Sequence, residues 1–360
     1  MEMKSLLVYT TQYMKTGGIE SHLREFCMQL SENGVRIDFV VLNSLMSPED
    51  EAFFIKICNR TYFGKNGRSS LRLAWLIRTG MRISLKRYDA VYTNGQGDSI
   101  GLFKKLIRTK GPWVHHHHTA GDAHDQSKWS LGYIKILETA DHVIACSTRN
   151  AGDMHIALQR EVDTIPCFSR EILIEDLTRK PGSKIRLGYY GRLIPEKGID
   201  TICEMSADRR MADLEFHIWG EGVAYPAAFF DKYPSVNYHG PFKGLEGLRD
   251  TIASIDAFLL LSVHPEGLPI CLLEAMGAGL PWLATDVGGI RDIVVDPLST
   301  RVIAMDTDYA ERSAAVLNFA KDIERGEVTG MNQKNQYQRK FSAAALTAAW
   351  KKKLELVKKN

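Results

Sequence analysis

Short runs rich in β-branched, aliphatic and aromatic residues recur along this 360-residue chain, each followed by a stretch of helical spacing. SLLVYT, RIDFVVL, DAVYT, PWVHHHH and HVIACS form one series, and KIRLGYYG, EFHIWG, VNYHG, DAFLLLS and PWLAT form a second. Strand and helix in alternation specify parallel sheets covered by helices on both faces, and two series specify two such units. The fold class is therefore α/β, with two Rossmann-like, doubly wound domains, 1–167 and 168–340. The boundary is set near Cys167, where TIPC gives way to the polar SREILIEDLTRKPGSK. In sheets of this kind ligands bind outside the carboxyl ends of the strands, at a switch in strand order, and two facing units make the cleft between them the expected site.

The loop-to-helix stretch Ser262–Asp292, SVHPEGLPICLLEAMGAGLPWLATDVGGIRD, is the densest in chemistry. Pro269 suits a first helical turn and Ile270–Met276 is mostly apolar, so Glu266 is expected in the entering loop and Glu274 two turns inside a helix. A helix start offers free N–H groups to phosphate, and a carboxylate accepts paired sugar hydroxyls. A nucleotide sugar carries both kinds of group. Acidic residues mostly lie in solvent, but Gly267, Gly277, Gly279, Gly288 and Gly289 recur here and mark close backbone approach or positive φ.

Here the chain resembles the retaining nucleotide-sugar glycosyltransferases of family 4, the group 1 transferases with the GT-B fold. The resemblance lies in the E-x7-E element followed by G-x-P and T-D-x-G-G. It implies that Glu274 holds the donor ribose and that Glu266 contacts the donor sugar, with Gly267, Leu268, Pro269 and Ile270 in the donor site between them. It also implies that the amphipathic segment Phe341–Lys358 is a C-terminal helix, within 341–360, crossing back to the first domain.

YYGRLIPEKGIDTI sets Gly191, Arg192 and Lys197 in a turn after the first strand of the second series. A guanidinium fork and a compact ammonium charge together suit a leaving diphosphate, and G-R-x4-K-G resembles the family's diphosphate clamp. In HIWGEG and NYHGPFKG, Gly220, Gly240 and Phe242 follow strands, and the resemblance puts both loops beside the nucleotide base. TQYMKTGGIESHL places Gly17 and Gly18 before a helix starting near Ile19, where the backbone can approach a ligand; by resemblance this loop faces the donor phosphates and the acceptor. No full G-x-G-x-x-G stands there, which counts against a dinucleotide dehydrogenase.

WVHHHHTAGDAHD continues a strand into four histidines. Alternation puts His115 and His117 on one face and His116 and His118 on the other, so the four cannot form one cluster while extended. Imidazole and carboxylate suit zinc together with Asp122, His124 or Asp125, but no zinc-ligand spacing is matched, and the expected metal content is none. The resemblance expects one histidine at this strand end near the donor sugar, which selects His117, with His118 second. His115 and His116 are read as packing or supporting residues.

With 46 basic and 43 acidic residues, net charge +3, bulk electrostatics give no footprint for nucleic acid. Six scattered cysteines without C-x-x-C read as reduced core thiols, neither a disulfide framework nor a zinc site. The first apolar run is too short for a signal peptide or a membrane span, so a cytoplasmic location is expected. Lys104, Lys105, Arg108 and Lys110, and the segment with Trp129 and Tyr133, are where peripheral contact with an anionic membrane would be sought, although a solvated helix face is the simpler reading of each.

These readings converge on a metal-independent, retaining hexosyltransferase. It would move a sugar from a nucleotide-diphosphate sugar, UDP first and GDP second, to a saccharide, lipid-linked or other hydroxyl acceptor, in polysaccharide, lipopolysaccharide or other glycoconjugate biosynthesis. His117, His118, Arg192, Lys197 and Glu266 form the catalytic set. A retaining hydrolase needs carboxyls about 5 Å apart, whereas two helical turns separate Glu266 and Glu274 by on the order of 11 Å. A sugar-nucleotide 2-epimerase of the same fold and a non-catalytic nucleotide-sugar-binding subunit are the remaining alternatives.

Overall fold

The computed structural model describes residues 3–15, 17–174, 177 and 183–356. It divides into two compact units, one built from the chain up to Phe168 together with the segment from Ala343, the other from Ser169 to Ser342.

The first unit holds a seven-stranded parallel sheet made of β1 (Ser5–Tyr13), β2 (Arg36–Ser44), β3 (Arg60–Lys65), β4 (Ala90–Asn94), β5 (Trp113–His117), β6 (His142–Ala145) and β7 (Asp163–Thr164). Their spatial order is β3-β2-β1-β4-β5-β6-β7, so the direction of winding reverses between β1 and β4. The near-continuous apolar run of β1 follows from burial on both faces. Leu6 and Val8 join one core with Phe26, Tyr92 and Trp350, while Leu7 and Tyr9 join the opposite core with Tyr133 and Ile136. Helix Gly18–Glu32 buries His22, Leu23, Phe26, Cys27 and Leu30, the i, i+3, i+4 stripe of an amphipathic helix. Helix Ala343–Lys353 adds Leu346 and Trp350 to the first of these cores. The Phe341–Lys358 segment is thus helical over fewer residues than expected, and residues 357–360 lie outside the described ones.

The second unit holds a six-stranded parallel sheet of β8 (Ile185–Tyr190), β9 (Leu214–Trp219), β10 (Val236–Gly240), β11 (Ala257–Leu260), β12 (Trp282–Thr285) and β13 (Thr300–Ile303). Its order is β10-β9-β8-β11-β12-β13, with the switch between β8 and β11. Helix Ile270–Ala278 buries every residue except Cys271, which accounts for a sequence apolar on all sides rather than striped.

Strands β3 and β13 were not legible in the sequence, since RTYFGK and TRVI are polar, partly exposed runs. Part of the SREILIEDLTRKPGSK connection, at 175–176 and 178–182, lies outside the described residues. Among the described residues no helix is long and apolar enough to cross a membrane. Of the surface aromatics sought for membrane contact, Tyr133 is instead 1% exposed, turned inward against His115 and His117.

Trp350 is fully buried, edge-on to Phe26 and Tyr92. Trp350→Ala is expected to cost the first unit about 3–5 kcal/mol, read as a lowered urea midpoint. A cost below about 1 kcal/mol would mean that the C-terminal helix is not part of that core.

Candidate active site

The two loops flanking the switch of the second sheet carry the charged residues. After β8 the chain passes through Gly191 and Arg192 into a single 3₁₀ turn, Pro195–Lys197, closed by Gly198 at φ 72°. A Cβ at Gly198 would stand 2.0 Å from the Leu261 carbonyl oxygen, at the end of β11. Only glycine lets the loops meet there. The meeting sets Lys197 Nζ 2.6 Å from Glu266 Oε1, and Ser262 Oγ donates to the same oxygen at 2.7 Å. Lys197 and Glu266 are 16% and 15% exposed, whereas Arg192 is exposed.

The T-D-x-G-G turn closes over the same loop. Gly288 has φ 53° and its Cβ would lie 1.7 Å from the Glu266 carbonyl oxygen, while Gly289 N donates to Gly267 O at 2.9 Å. Pro269 stays extended, with ψ 115°, so the helix begins at Ile270 and Glu274 lies little more than one turn inside rather than two. No side chain caps this helix, which leaves first-turn N–H groups for an anion. Leu268 and Ile270 are buried, so in a donor site they offer backbone rather than side chain.

Glu274 is 2% exposed, and Arg170 Nε donates to its Oε1 at 2.6 Å. Burial pushes the Glu274 carboxyl up and the Arg170 charge opposes the rise. The Arg170 guanidinium also stands 5.6 Å from the Phe242 ring centroid, and Tyr190 meets Phe242 edge-on. Tyr190 Oη donates to the Cys271 carbonyl at 2.8 Å, tying β8 to the helix that carries Glu274. Gly191, Gly220 and Gly240 form a continuous ledge at the ends of β8, β9 and β10: Gly191 N donates to Trp219 O at 3.1 Å and Gly220 N to Gly240 O at 2.9 Å. Arg170 and Ser262 were missed by sequence reasoning. Arg170 sits in a segment that reads as linker, and a lone serine carries no signal.

In the first unit, Gly17 and Gly18 begin helix Gly18–Glu32 without a side-chain cap. Thr16 lies outside the described residues. The Glu20 carboxylate folds back to accept from Met14 N at 2.9 Å, placing negative charge where a phosphate was expected. His117 is 1% exposed and both its nitrogens are engaged, Nε2 with Asp125 at 2.8 Å and Nδ1 with Tyr133 Oη at 2.8 Å. Burial alone would raise the Asp125 carboxyl, but His117, Thr119 and Gln96 outweigh it and hold it well below the usual carboxylate range. His118 stands just past the strand on the opposite face, with Nδ1 3.3 Å from Cys167 Sγ. Strand alternation thus sends the two rings to opposite faces: His117 is buried with both nitrogens engaged, and His118 is half-buried. The zinc grouping considered with Asp122, His124 or Asp125 does not form. Asp125 bonds His117, and Asp122 caps the short helix Ala123–Gln126.

Two family models match most of the chain between them: "Glycosyltransferase Family 4" over residues 16–168 and "Glycosyl transferases group 1" over residues 184–322. A GDP-mannose-dependent alpha-mannosyltransferase of Mycolicibacterium smegmatis is 30% identical over 151 residues, 41% of this chain and 38% of the relative. The chain spans less than two thirds of the length of the curated relatives it matches first. Among solved structures, HepE of Anabaena in complex with UDP-glucose superposes with a TM-score of 0.74 at 15% identity, covering 98% of this chain and 100% of that one. Sucrose-phosphate synthase of Thermosynechococcus elongatus superposes with a TM-score of 0.77 at 18% identity, covering 98% of each. These likenesses establish the GT-B fold.

Gly244 shares the left-handed φ of Gly198 but has open space around its Cβ position. Gly198→Ala is therefore expected to lower the urea midpoint of the second unit more than Gly244→Ala, which bears only the backbone cost of about 1–2 kcal/mol. Equal midpoints would contradict the close approach of the two loops.

Proposed function

We propose that this chain, which belongs to the group 1 glycosyltransferases of family 4, moves a sugar from a nucleoside-diphosphate sugar to an acceptor hydroxyl with the anomeric configuration retained. One observation carries the reading: within a single unit, the Lys197–Glu266 pair, exposed Arg192, an uncapped helix start and buried Glu274 all gather around one switch point.

Departure of the diphosphate leaves positive charge on the sugar and negative charge on the leaving oxygen. Arg192, Lys197 and the first N–H groups of helix Ile270–Ala278 are the groups that would neutralise the latter, with no metal in the step. Before donor binds, Lys197 and Glu266 satisfy each other. A bound diphosphate takes Lys197 as its counter-charge and frees Glu266 for the sugar. Arg170 uses one lone pair of Glu274, and the second carboxylate oxygen remains to accept ribose hydroxyls. The Gly191, Gly220 and Gly240 ledge and Phe242 suit the flat base. UDP is taken first and GDP second; HepE is solved with UDP-glucose and the mannosyltransferase relative is named for GDP-mannose, so each base has a precedent. A saccharide, lipid-linked or other glycoconjugate hydroxyl is the acceptor in this reading.

Glu274→Ala and Lys197→Ala are each expected to weaken UDP or GDP binding roughly 10- to 100-fold by calorimetry, the worth of a lost hydrogen bond to a charged group. Unchanged affinity in both variants overturns the site. Because burial raises Glu274 and Arg170 counters it, nucleotide affinity should decline as pH falls through that carboxyl's titration. Arg170→Ala, which removes the lowering influence, should move the decline to higher pH, and Glu274→Gln should abolish this component. Superimposable pH profiles for the wild type and Arg170→Ala would contradict the role of Glu274.

A further inference from the structure

The face of the first sheet opposite His117 holds a second cluster that the transfer reaction does not use. His116 Nε2 lies 3.5 Å from Cys146 Sγ, and His118 Nδ1 lies 3.9 Å from Cys146 Sγ and 3.3 Å from Cys167 Sγ. The two sulfurs are 3.4 Å apart, and all four ligand atoms fall within 4.8 Å of one another. A tetrahedral zinc ion with Zn–S near 2.3 Å and Zn–N near 2.0–2.1 Å spaces its ligand atoms by roughly 3.3–3.8 Å. Three of the four separations just given fall within that range, and the fourth, 3.9 Å from His118 Nδ1 to Cys146 Sγ, lies just outside it.

The surroundings match the donor set. Tyr92 Oη lies 2.9 Å from His116 Nδ1 and 3.4 Å from His118 Nε2, the ring nitrogens that face away from the sulfurs. A partner on the far nitrogen is what fixes ring orientation in zinc-binding histidines. Each neutral imidazole offers one ring lone pair to a cation. Two thiolates balance a divalent cation, which leaves no net charge in the interior. Trp350 packs 5.0 Å from the His116 ring, and His116, Cys146 and Cys167 are buried, so the position is closed on the side of the core.

We propose that His116, His118, Cys146 and Cys167 form a structural zinc site of the first unit. Zn²⁺ binding forms two Zn–S and two Zn–N bonds and releases the two thiol protons to solvent. A closed four-ligand set leaves no open position for substrate, so the ion holds structure and takes no part in transfer. It fastens the end of β5, the residue after β6 and the segment after β7, where the chain leaves this unit at Phe168. Crosslinking His118 to Cys167, 49 positions apart in sequence, removes freedom from the unfolded chain. No spacing motif marks the four in the sequence, because the two histidines share the end of β5 while the cysteines follow β6 and β7 separately.

The test uses the full chain purified under reducing conditions without added chelator. Elemental analysis is expected to give about one zinc per chain for the wild type and for Cys203→Ser, a thiol of the other unit, and below about a tenth for Cys146→Ser and Cys167→Ser. Since those variants can misfold, wild-type protein stripped of metal and titrated with Co²⁺ provides the second readout. One equivalent should produce the ligand-field bands of tetrahedral cobalt and a thiolate charge-transfer band, and should raise Tm by several degrees. A metal-free wild type whose reduced thiols give no cobalt–thiolate band overturns the proposal. So does peptide mapping that finds a Cys146–Cys167 disulfide which, once reduced, still binds no Co²⁺.

Discussion

The ion pair between Lys197 and Glu266 joins the two loops that flank the strand-order switch of the second sheet, across 69 positions of sequence. Most of the site geometry depends on it and on the backbone contact beneath it, where Gly198 meets Leu261 and Gly288 meets Glu266. Both side chains are largely shielded from solvent, so their charges are poorly screened. A buried pair of this kind is weak evidence for stability, because apolar replacements of similar volume often do as well. Its place at the switch point, next to an uncapped helix start, makes better sense as a stored counter-charge for an anionic ligand. Glu274 follows the same logic one turn along the helix, with its carboxylate buried and matched by Arg170.

Strand alternation plays the corresponding part in the first unit. Four consecutive histidines are split by the period of two into unlike environments. His115 and His117 meet Tyr133 and Asp125 on one face, while His116 and His118 meet Tyr92, Cys146 and Cys167 on the other. The β5–β6 register, with His117 opposite Ala145, brings Cys146 alongside the end of the histidine run. The same rule that forbids a single four-histidine cluster therefore assembles the mixed one.

The two-sheet architecture was legible because buried parallel strands are written as apolar runs, and those of β1 and β11 are unmistakable. Edge strands β3 and β13 were not, since partial exposure removes that signal. Within the loops flanking the switch, Gly288 was readable as a close approach and meets backbone, as does Gly198, which that reading did not single out. The partners were not readable: Arg170 reaches Glu274 across 104 positions, and Cys167 reaches His118 across 49. Such pairings are fixed by tertiary packing, which no local pattern records. The surroundings of the histidines were unreadable for a related reason. Alternation gives which rings share a face but not which face is covered, and helix Leu131–Thr139 covers the face of His117.

In the proposed reaction the gathered charges of the second unit act on a nucleotide sugar rather than only hold one. Release of nucleoside diphosphate from a panel of UDP- and GDP-sugars, followed continuously with purified chain, tests it most directly. Release from at least one donor is expected, slow without an acceptor and faster when hydroxyl acceptors are supplied. A chain that binds the nucleoside diphosphate yet neither transfers nor hydrolyses any of these donors would contradict it.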